Sequence, residues 1–203
     1  MKVDNGIPNV PNIAEQKAAL RKELRKARRD HAAALPREVS ALVFARPPAP
    51  VLDMVPEGAT IGLYRADAGE APAGGYIRFF HERGHPIALP RVTTLGAPMT
   101  FHLHTDPYEE GDLVAGPLGL RQPAEDAPVV VPEVLFMPLV GFTADGDRLG
   151  QGGGFYDRWL AAHPETLAIG MAWDIQCVDT LPVEDHDMPL KAIVTSTRIY
   201  GPF

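Results

Sequence analysis

The chain has a single cysteine, Cys177, among 203 residues. One cysteine cannot close a disulfide within the chain, so the fold must rest on its core, and a reducing cytoplasm is the setting that suits it. A lone cysteine is also a candidate nucleophile, although the residue type is more often a small core side chain. Long apolar runs are missing as well. The most apolar segment, residues 129–142, is interrupted by Pro132, Glu133 and Pro138, and no run approaches the ~20 apolar residues of a membrane span. The first residues carry no apolar stretch of the kind that directs export. Surplus positive charge is absent too. There are 19 Lys and Arg against 26 Asp and Glu, a net charge of −7, which excludes a protein built as a whole to coat a polyanion.

What is present fits one soluble α/β domain. Residues 1–12, with their Asn, Gly and Pro, read as a flexible lead-in, and 13–203 as the domain. "IAEQKAALRKELRKARRDHAAAL" (13–35) is made of strong helix formers. Asn12 is placed to cap its start and Pro36 to end it. "REVSALVF" (37–44) predicts a second helix, interrupted by "RPPAP". Strands are predicted at 60–64, 85–90, 134–142, 166–173 and 192–200, and helices at 74–84 and 153–163. Strands alternating with helices imply a mostly parallel sheet. Residues 91–133, rich in Pro, Gly and acid, predict a loop-rich substrate region.

The most informative segment is "DGDRLGQGGGFYDRWL" (145–160). Four of the five residues from Gly150 to Gly154 are glycine. They follow the carboxyl end of one predicted strand and precede a helix, where open α/β sheets bind ligands. A helix N-terminus offers free N–H groups and a partial positive charge, and glycines let backbone amides close on phosphate oxygens. Arg148 can add a cationic contact, and Asp157 a carboxylate for Mg²⁺ between phosphates. A tight strand-to-helix turn without a ligand is the alternative. The segment fits neither Gly-x4-Gly-Lys-Ser/Thr nor Gly-x-Gly-x-x-Gly, since no Lys-Ser or Lys-Thr follows a glycine and position 155 is Phe.

Seven basic residues fall between Lys17 and Arg29, opposed there by Glu23 alone. Lys17 and Arg21 share a helix face. A solvated basic face, a nucleic-acid helix and the completion of a phosphate site at the glycine segment are the three readings. Net charge and the lack of interleaved aromatics oppose the second. His102-x-His104 on a strand puts both rings on one face, a candidate metal pair with Asp106 nearby. His81 and His85 are separated by helix breakers, and no Ser-His-Asp or Cys-His spacing stands out.

Taken together, these segments resemble the 5-formyltetrahydrofolate cyclo-ligases, also called methenyltetrahydrofolate synthetases. The resemblance spans roughly residues 14–200. It rests on "KAALRKELR", "GLYRADAGE", "ALPRV", "MTF" and "LPVEDHDMPLKAIVT", and most of all on "LVGFTADGDRLGQGGGFYDRWL". It implies a three-layer α/β/α fold and an ATP- and Mg²⁺-dependent reaction. The formyl oxygen of 5-formyltetrahydrofolate attacks the γ-phosphate, N10 closes the ring, and 5,10-methenyltetrahydrofolate, ADP and phosphate leave. The resemblance assigns Lys17, Arg21 and Arg148, Leu149, Gly150, Gln151, Gly152, Gly153, Gly154, Phe155 and Tyr156 to ATP. It assigns Arg21, Arg65, Glu70, Met99, Phe101 and the loop from Gln151 to Phe155 to the folate, with core burial the alternative for Met99 and Phe101, and Asp157 and Asp187 to the metal, with a solvated turn the alternative for Asp187. It implies small-molecule partners only, no nucleic acid and no membrane, with a monomer or weak homodimer. Phe155, Gln122, Lys191 and Ser196 depart from the common pattern, where Tyr, Glu, Asp and Glu are usual. The departures at 191 and 196 keep a silent folate- or nucleotide-binding relative as the alternative.

Overall fold

The computed structural model describes residues 12–36, 39, 42–94, 96–184 and 187–203. Asn12 caps α1 (Ile13–Ala34) reciprocally: its side chain accepts from the Glu15 N–H and the Glu15 carboxylate accepts from its own, 2.9 Å each. The helix stops at Leu35, whose extended backbone suits the residue before a proline. The helix expected over 37–44 lies largely outside the described residues. A single turn, α2 (Ala49–Leu52), follows, then α3 (Gly74–His81) and α4 (Phe155–Ala162).

Twelve short strands are described: β1 (Ile61–Gly62), β2 (Ile87–Arg91), β3 (Thr100–His104), β4 (Leu113–Ala115), β5 (Arg121–Pro123), β6 (Val129–Val130), β7 (Val134–Pro138), β8 (Gly141–Phe142), β9 (Arg148–Leu149), β10 (Leu167–Met171), β11 (Ala192–Val194) and β12 (Ile199–Tyr200). Eight of them form one sheet in the order β12-β11-β10-β7-β1-β2-β3-β6. The five central strands are parallel, and the edges β12, β3 and β6 are antiparallel. The sheet is mostly parallel, as expected.

The segment 91–133 is more ordered than its composition implies. It contributes β3 and β6 to the sheet and folds β4 against β5. The run 134–142 divides at Pro138, which has no N–H to continue the ladder, and the remainder forms the β8–β9 hairpin. The run 192–200 likewise divides into an antiparallel pair.

Side-chain alternation gives the sheet two dry faces. Ile61, Leu63, Ile87, Leu89, Val134, Phe136 and Ile169 face α2 and α3, meeting Val51, Tyr76 and Phe80. Ala88, Leu135, Met137, Ala168 and Ile193 face Trp159 and Leu160 of α4. Each large apolar side chain buried in this way contributes about 1.5–3 kcal/mol. The result is the three-layer α/β/α arrangement.

Two features place the cleft. From β1 the chain crosses through α3 to β2 on one side, whereas from β7 it crosses through α4 to β10 on the other. The order therefore reverses between β1 and β7, the position at which the carboxyl ends of open sheets leave a crevice. Helix α1 lies across this end. Leu20 and Leu24 pack with Val140, Leu149, Val178 and Leu181, and a Cβ on Gly141 would meet Leu24 at 2.5 Å. Farther along, Ala32 joins the first core and His31 meets Trp173 edge-on at 5.1 Å.

Candidate active site

A cleft of about 710 Å³ opens at the strand reversal. Among the described residues, eight cationic side chains line it against five carboxylates, in a chain of net charge −7. The site thus concentrates positive charge that the whole molecule lacks, as an anionic ligand requires. Half of it comes from one helix face: Lys17, Arg21, Arg25 and Arg28 follow one another at three- and four-residue steps and line the cleft, while Lys22 and Lys26 point to solvent.

At one end the charges are already paired. Lys17 Nζ donates to Asp187 Oδ2 and Glu184 Oε2, both at 2.7 Å. Burial works against the charge on Lys17, but these two carboxylates outweigh it and raise its pKa. Asp187 also accepts from the Glu184 N–H at 2.9 Å. Arg148 is buried, forms an ion pair with Asp157 and donates through Nε to Met188 O at 2.9 Å. Burial pushes Tyr156, which also lines this wall, well above the usual phenol range, so its hydroxyl stays protonated.

The glycine segment runs between the β8–β9 hairpin and α4. Gly152 has φ +97°, and a Cβ there would come within 3.3 Å of the Arg21 guanidinium. Gly154 has φ +63°, with Arg158 Nη1 at 2.7 Å from the position of a Cβ. Both positions therefore need glycine on conformation, and at Gly152 the tip of Arg21 would have to give way. Arg21 Nε donates to Gly150 O at 2.9 Å, and Arg25 donates to Gln151 Oε1 at 2.9 Å and to Gln151 O at 2.6 Å. Gly150 and Gly152 thus approach the arginine row of α1, whereas Gly154 sits against Arg158 of α4.

At the other end lies Glu70. The loop that carries it is tied down by the Trp173 Nε1 bond to Gly69 O, 2.9 Å. Its Oε2 accepts from Asp67 N at 2.9 Å, and its Oε1 accepts from Gln151 Nε2 at 2.9 Å. Tyr64, fully buried and with its acidity suppressed by that burial, donates to Ala71 O beside it. Val92, Pro90, Met99 and Leu120 give this end an apolar wall, and Arg65 joins the lining while paired with Glu110.

The assigned residues Lys17, Arg21, Arg65, Glu70, Met99, Arg148, Leu149, Gly150 to Tyr156, Asp157 and Asp187 all line this one cleft. Phe101 does not. It is 1 % exposed and packs edge-on to Trp159, with ring centroids 4.9 Å apart. Alternation along β3 turns it into the second core, so its placement is that of a core residue and not of a folate contact. The histidine pair is likewise structural. His102 Nδ1 lies 2.7 Å from Ala127 O, and His104 Nδ1 lies 3.0 Å from both oxygens of Asp112. No group of three metal-ligating side chains occurs among the described residues.

Several lining residues escape sequence reasoning. Arg25 and Arg28 look like two more charges on a solvated helix, although their spacing continues the Lys17–Arg21 row. Gln122 looks like a mere departure. Its amide accepts from Val92 N–H at 3.2 Å and donates to Val92 O at 3.1 Å. An ionised Glu cannot make the second bond.

A family model described as the 5-formyltetrahydrofolate cyclo-ligase family matches residues 13–196. The chain belongs to the 5-formyltetrahydrofolate cyclo-ligase family. It is 36% identical over 147 residues to the 5-formyltetrahydrofolate cyclo-ligase of Escherichia coli K12, covering 70% of this chain and 80% of that one. In fold it resembles the 5,10-methenyltetrahydrofolate synthetase of Aquifex aeolicus, with a TM-score of 0.68 and 24% identity over 90% of this chain and 93% of that one. The synthetase of Mycoplasma pneumoniae gives 0.64 and 24% over 89% and 98%.

Both C-terminal departures from the cyclo-ligase pattern have partners here. Lys191 Nζ reaches Phe203 O at 3.3 Å. Ser196, with Thr195 and Thr197, donates to the Asp174 carboxylate. Burial opposes ionisation of Asp174, but these three hydroxyls hold it below the usual carboxylate range. Neither Lys191 nor Ser196 lines the cleft.

Proposed function

We infer that this chain converts 5-formyltetrahydrofolate to 5,10-methenyltetrahydrofolate with ATP as co-substrate, releasing ADP and phosphate. The observation that carries the reading is that one loop reaches both ends of the cleft. Gly150 touches Arg21 at the ionic end, and Gln151 touches Glu70 at the other. A reaction joining a formyl oxygen to a γ-phosphate needs its two substrates to meet across such a loop.

In this reading Lys17, Arg21 and Arg148 neutralise the triphosphate, and the amides of Gly152 to Tyr156 at the start of α4 face its oxygens. The Gly150 and Gln151 carbonyls, which now accept from Arg21 and Arg25, yield those guanidiniums to phosphate oxygens. Glu70 accepts from the pterin amino and ring N–H groups. The Gln151 amide, a planar N–H donor already on Glu70, marks the place that those groups take. Met99 packs against the ring. The chain thereby holds the formyl oxygen in line with the γ-phosphate, then N10 against the activated carbon, and keeps water from both.

Asp157 and Asp187 would hold Mg²⁺. Among the described residues the donor set offers hard carboxylate oxygens and no protein-only cage. This suits an ion that uses one or two carboxylates and takes the rest of its ligands from phosphates and water. When bound, Mg²⁺ offsets phosphate charge. Arg148 and Lys17, which now hold the two aspartates, would then be free to face the nucleotide.

In this reading the protein is a monomer or weak homodimer acting on small molecules without nucleic acid. No helix among the described residues is long and apolar enough to cross a membrane. We place the protein in the cytoplasm, where a single thiol stays reduced. The test is to incubate folded protein with ATP, Mg²⁺ and 5-formyltetrahydrofolate and follow the methenyl chromophore by absorbance. Absence of ATP-dependent product would overturn the reading.

A further inference from the structure

Arg28 is a buried cation whose contacts do not account for its burial. It is 3 % exposed and lines the cleft beside Glu70. Both hydrogen bonds described for it leave from one amino group, Nη1, at 3.5 Å to Glu70 and 3.2 Å to Leu139 O. The first is at the outer limit of a hydrogen bond, whereas a charge-assisted pair settles near 2.7–2.9 Å. Its Nε is buried and has no partner. Glu70 takes its close bonds elsewhere, from Gln151 and Asp67. Removing a guanidinium from water is costly unless its donors are satisfied, and a buried donor without an acceptor calls for an explanation. Burial indeed works against the charge on Arg28, with Glu70 only partly opposing it.

The guanidinium lines the cleft, so a ligand there can give it the close acceptor that Glu70 and Leu139 O do not. This inference rests on the cyclo-ligase reading, in which Glu70 holds the pterin. On the edge of that ring the amino group, the N3–H and the 4-oxo group follow one another as donor, donor and acceptor. A carboxylate meets the two donors, and the acceptor next to them needs a donor from the protein. Glu70 and Arg28 are neighbours at the carboxyl ends of β1 and β7, where Leu139 O fixes the guanidinium. We propose that Arg28 donates to the 4-oxo group of the bound folate, so that Glu70 and Arg28 together read three consecutive groups on the pterin edge. Arg28 is thus a specificity-determining residue. It sits two helical turns beyond Arg21 and connects the arginine row of the phosphate end to recognition of the folate.

The test compares the full-length protein with Arg28→Met and Arg28→Lys. Arg28→Met is expected to raise KM for 5-formyltetrahydrofolate by about 30-fold, with KM for ATP within about threefold of wild type. Arg28→Lys keeps a charge beside Glu70 without the fork, and should recover part of the loss. The deciding readout is equilibrium binding of two tetrahydrofolate ligands that differ at ring position 4, one with the oxo group and one with a thioxo group, which keeps the N3–H donor and weakens the acceptor. Wild type should prefer the oxo ligand by about tenfold or more, and both variants should lose that preference. An Arg28 that serves only the fold would lower the melting temperature and weaken both ligands equally, and an unchanged ratio in the variants overturns the proposal. If Arg28→Met does not fold, the ratio in Arg28→Lys decides. Failure of the parent reading looks different: wild type would then form no methenyl product at all, whereas failure here leaves wild-type turnover intact.

Discussion

The two ends of the cleft satisfy their charges in opposite ways. At the end we assign to the phosphates each cation already has an oxygen: Lys17 has Asp187 and Glu184, Arg148 has Asp157, and Arg21 has a loop carbonyl. At the end we assign to the folate Glu70 is bonded to the loop, while Arg28 is buried with a donor to spare. The difference teaches what binding must do at each place. A triphosphate exchanges one set of charged partners for another, so its net gain is small and depends on salt and on a divalent ion. A pterin meets groups already out of water, where a correct hydrogen bond discriminates strongly and a wrong one is costly.

If this contrast is right, variants at the two ends should separate cleanly in their kinetics. The largest effect should come from Asp157→Asn. Turnover is expected to fall by roughly 100-fold or more, while the melting temperature drops by less than about 8 °C because Asn still accepts from Arg148. Near-normal turnover in excess Mg²⁺ would show that Asp157 holds no essential ion. Glu70→Gln should next raise KM for 5-formyltetrahydrofolate by about 10- to 100-fold, with KM for ATP moving less than about threefold. An equal rise in both would dissolve the distinction between the two ends.

Gly152→Ala reverses the pattern. Its Cβ is strained at φ +97° and presses on Arg21, so KM for ATP should rise about tenfold with a smaller change for the folate. The smallest effect concerns Lys17. Its folded pKa is raised above the ordinary 10.5 by its two carboxylates, so its contribution is complete below that value and is lost as pH rises through the folded pKa. The melting-temperature difference between wild type and Lys17→Met should be a few degrees, constant from about pH 7 to 9, and should shrink above about pH 10.5. A difference that instead grows towards alkaline pH would mean that Lys17 is not charge-paired in the folded protein.

Local chemistry was legible wherever neighbours in sequence decide it. Asn12, Glu15 and Pro36 bound α1, and the turn and glycine chemistry of 145–154 places a loop between strand and helix. In the middle of the chain the loop-rich lining was legible, but β3 to β6 were not, because runs of two to five residues among Pro, Gly and acid carry little alternation to read. For Phe101, ring packing and core burial were both open along the chain. The sheet face to which a residue points depends on register, and register is set by the partner strand.

By itself, then, the sequence determined the alternating α/β plan, the caps of α1 and the family whose motifs lie in the glycine loop. Only the tertiary structure decided that the strand order reverses between β1 and β7. It also decided that α1 seats its arginine row on that crevice through Leu20 and Leu24, and that Gln151 spans from Arg25 to Glu70. Caps, turns and periodicity act over a few residues and can be read along the chain. The burial of Arg28, the pairing of Lys17 with Asp187 and the width of the cleft arise between residues far apart in sequence. They exist only once both faces of the sheet have been covered.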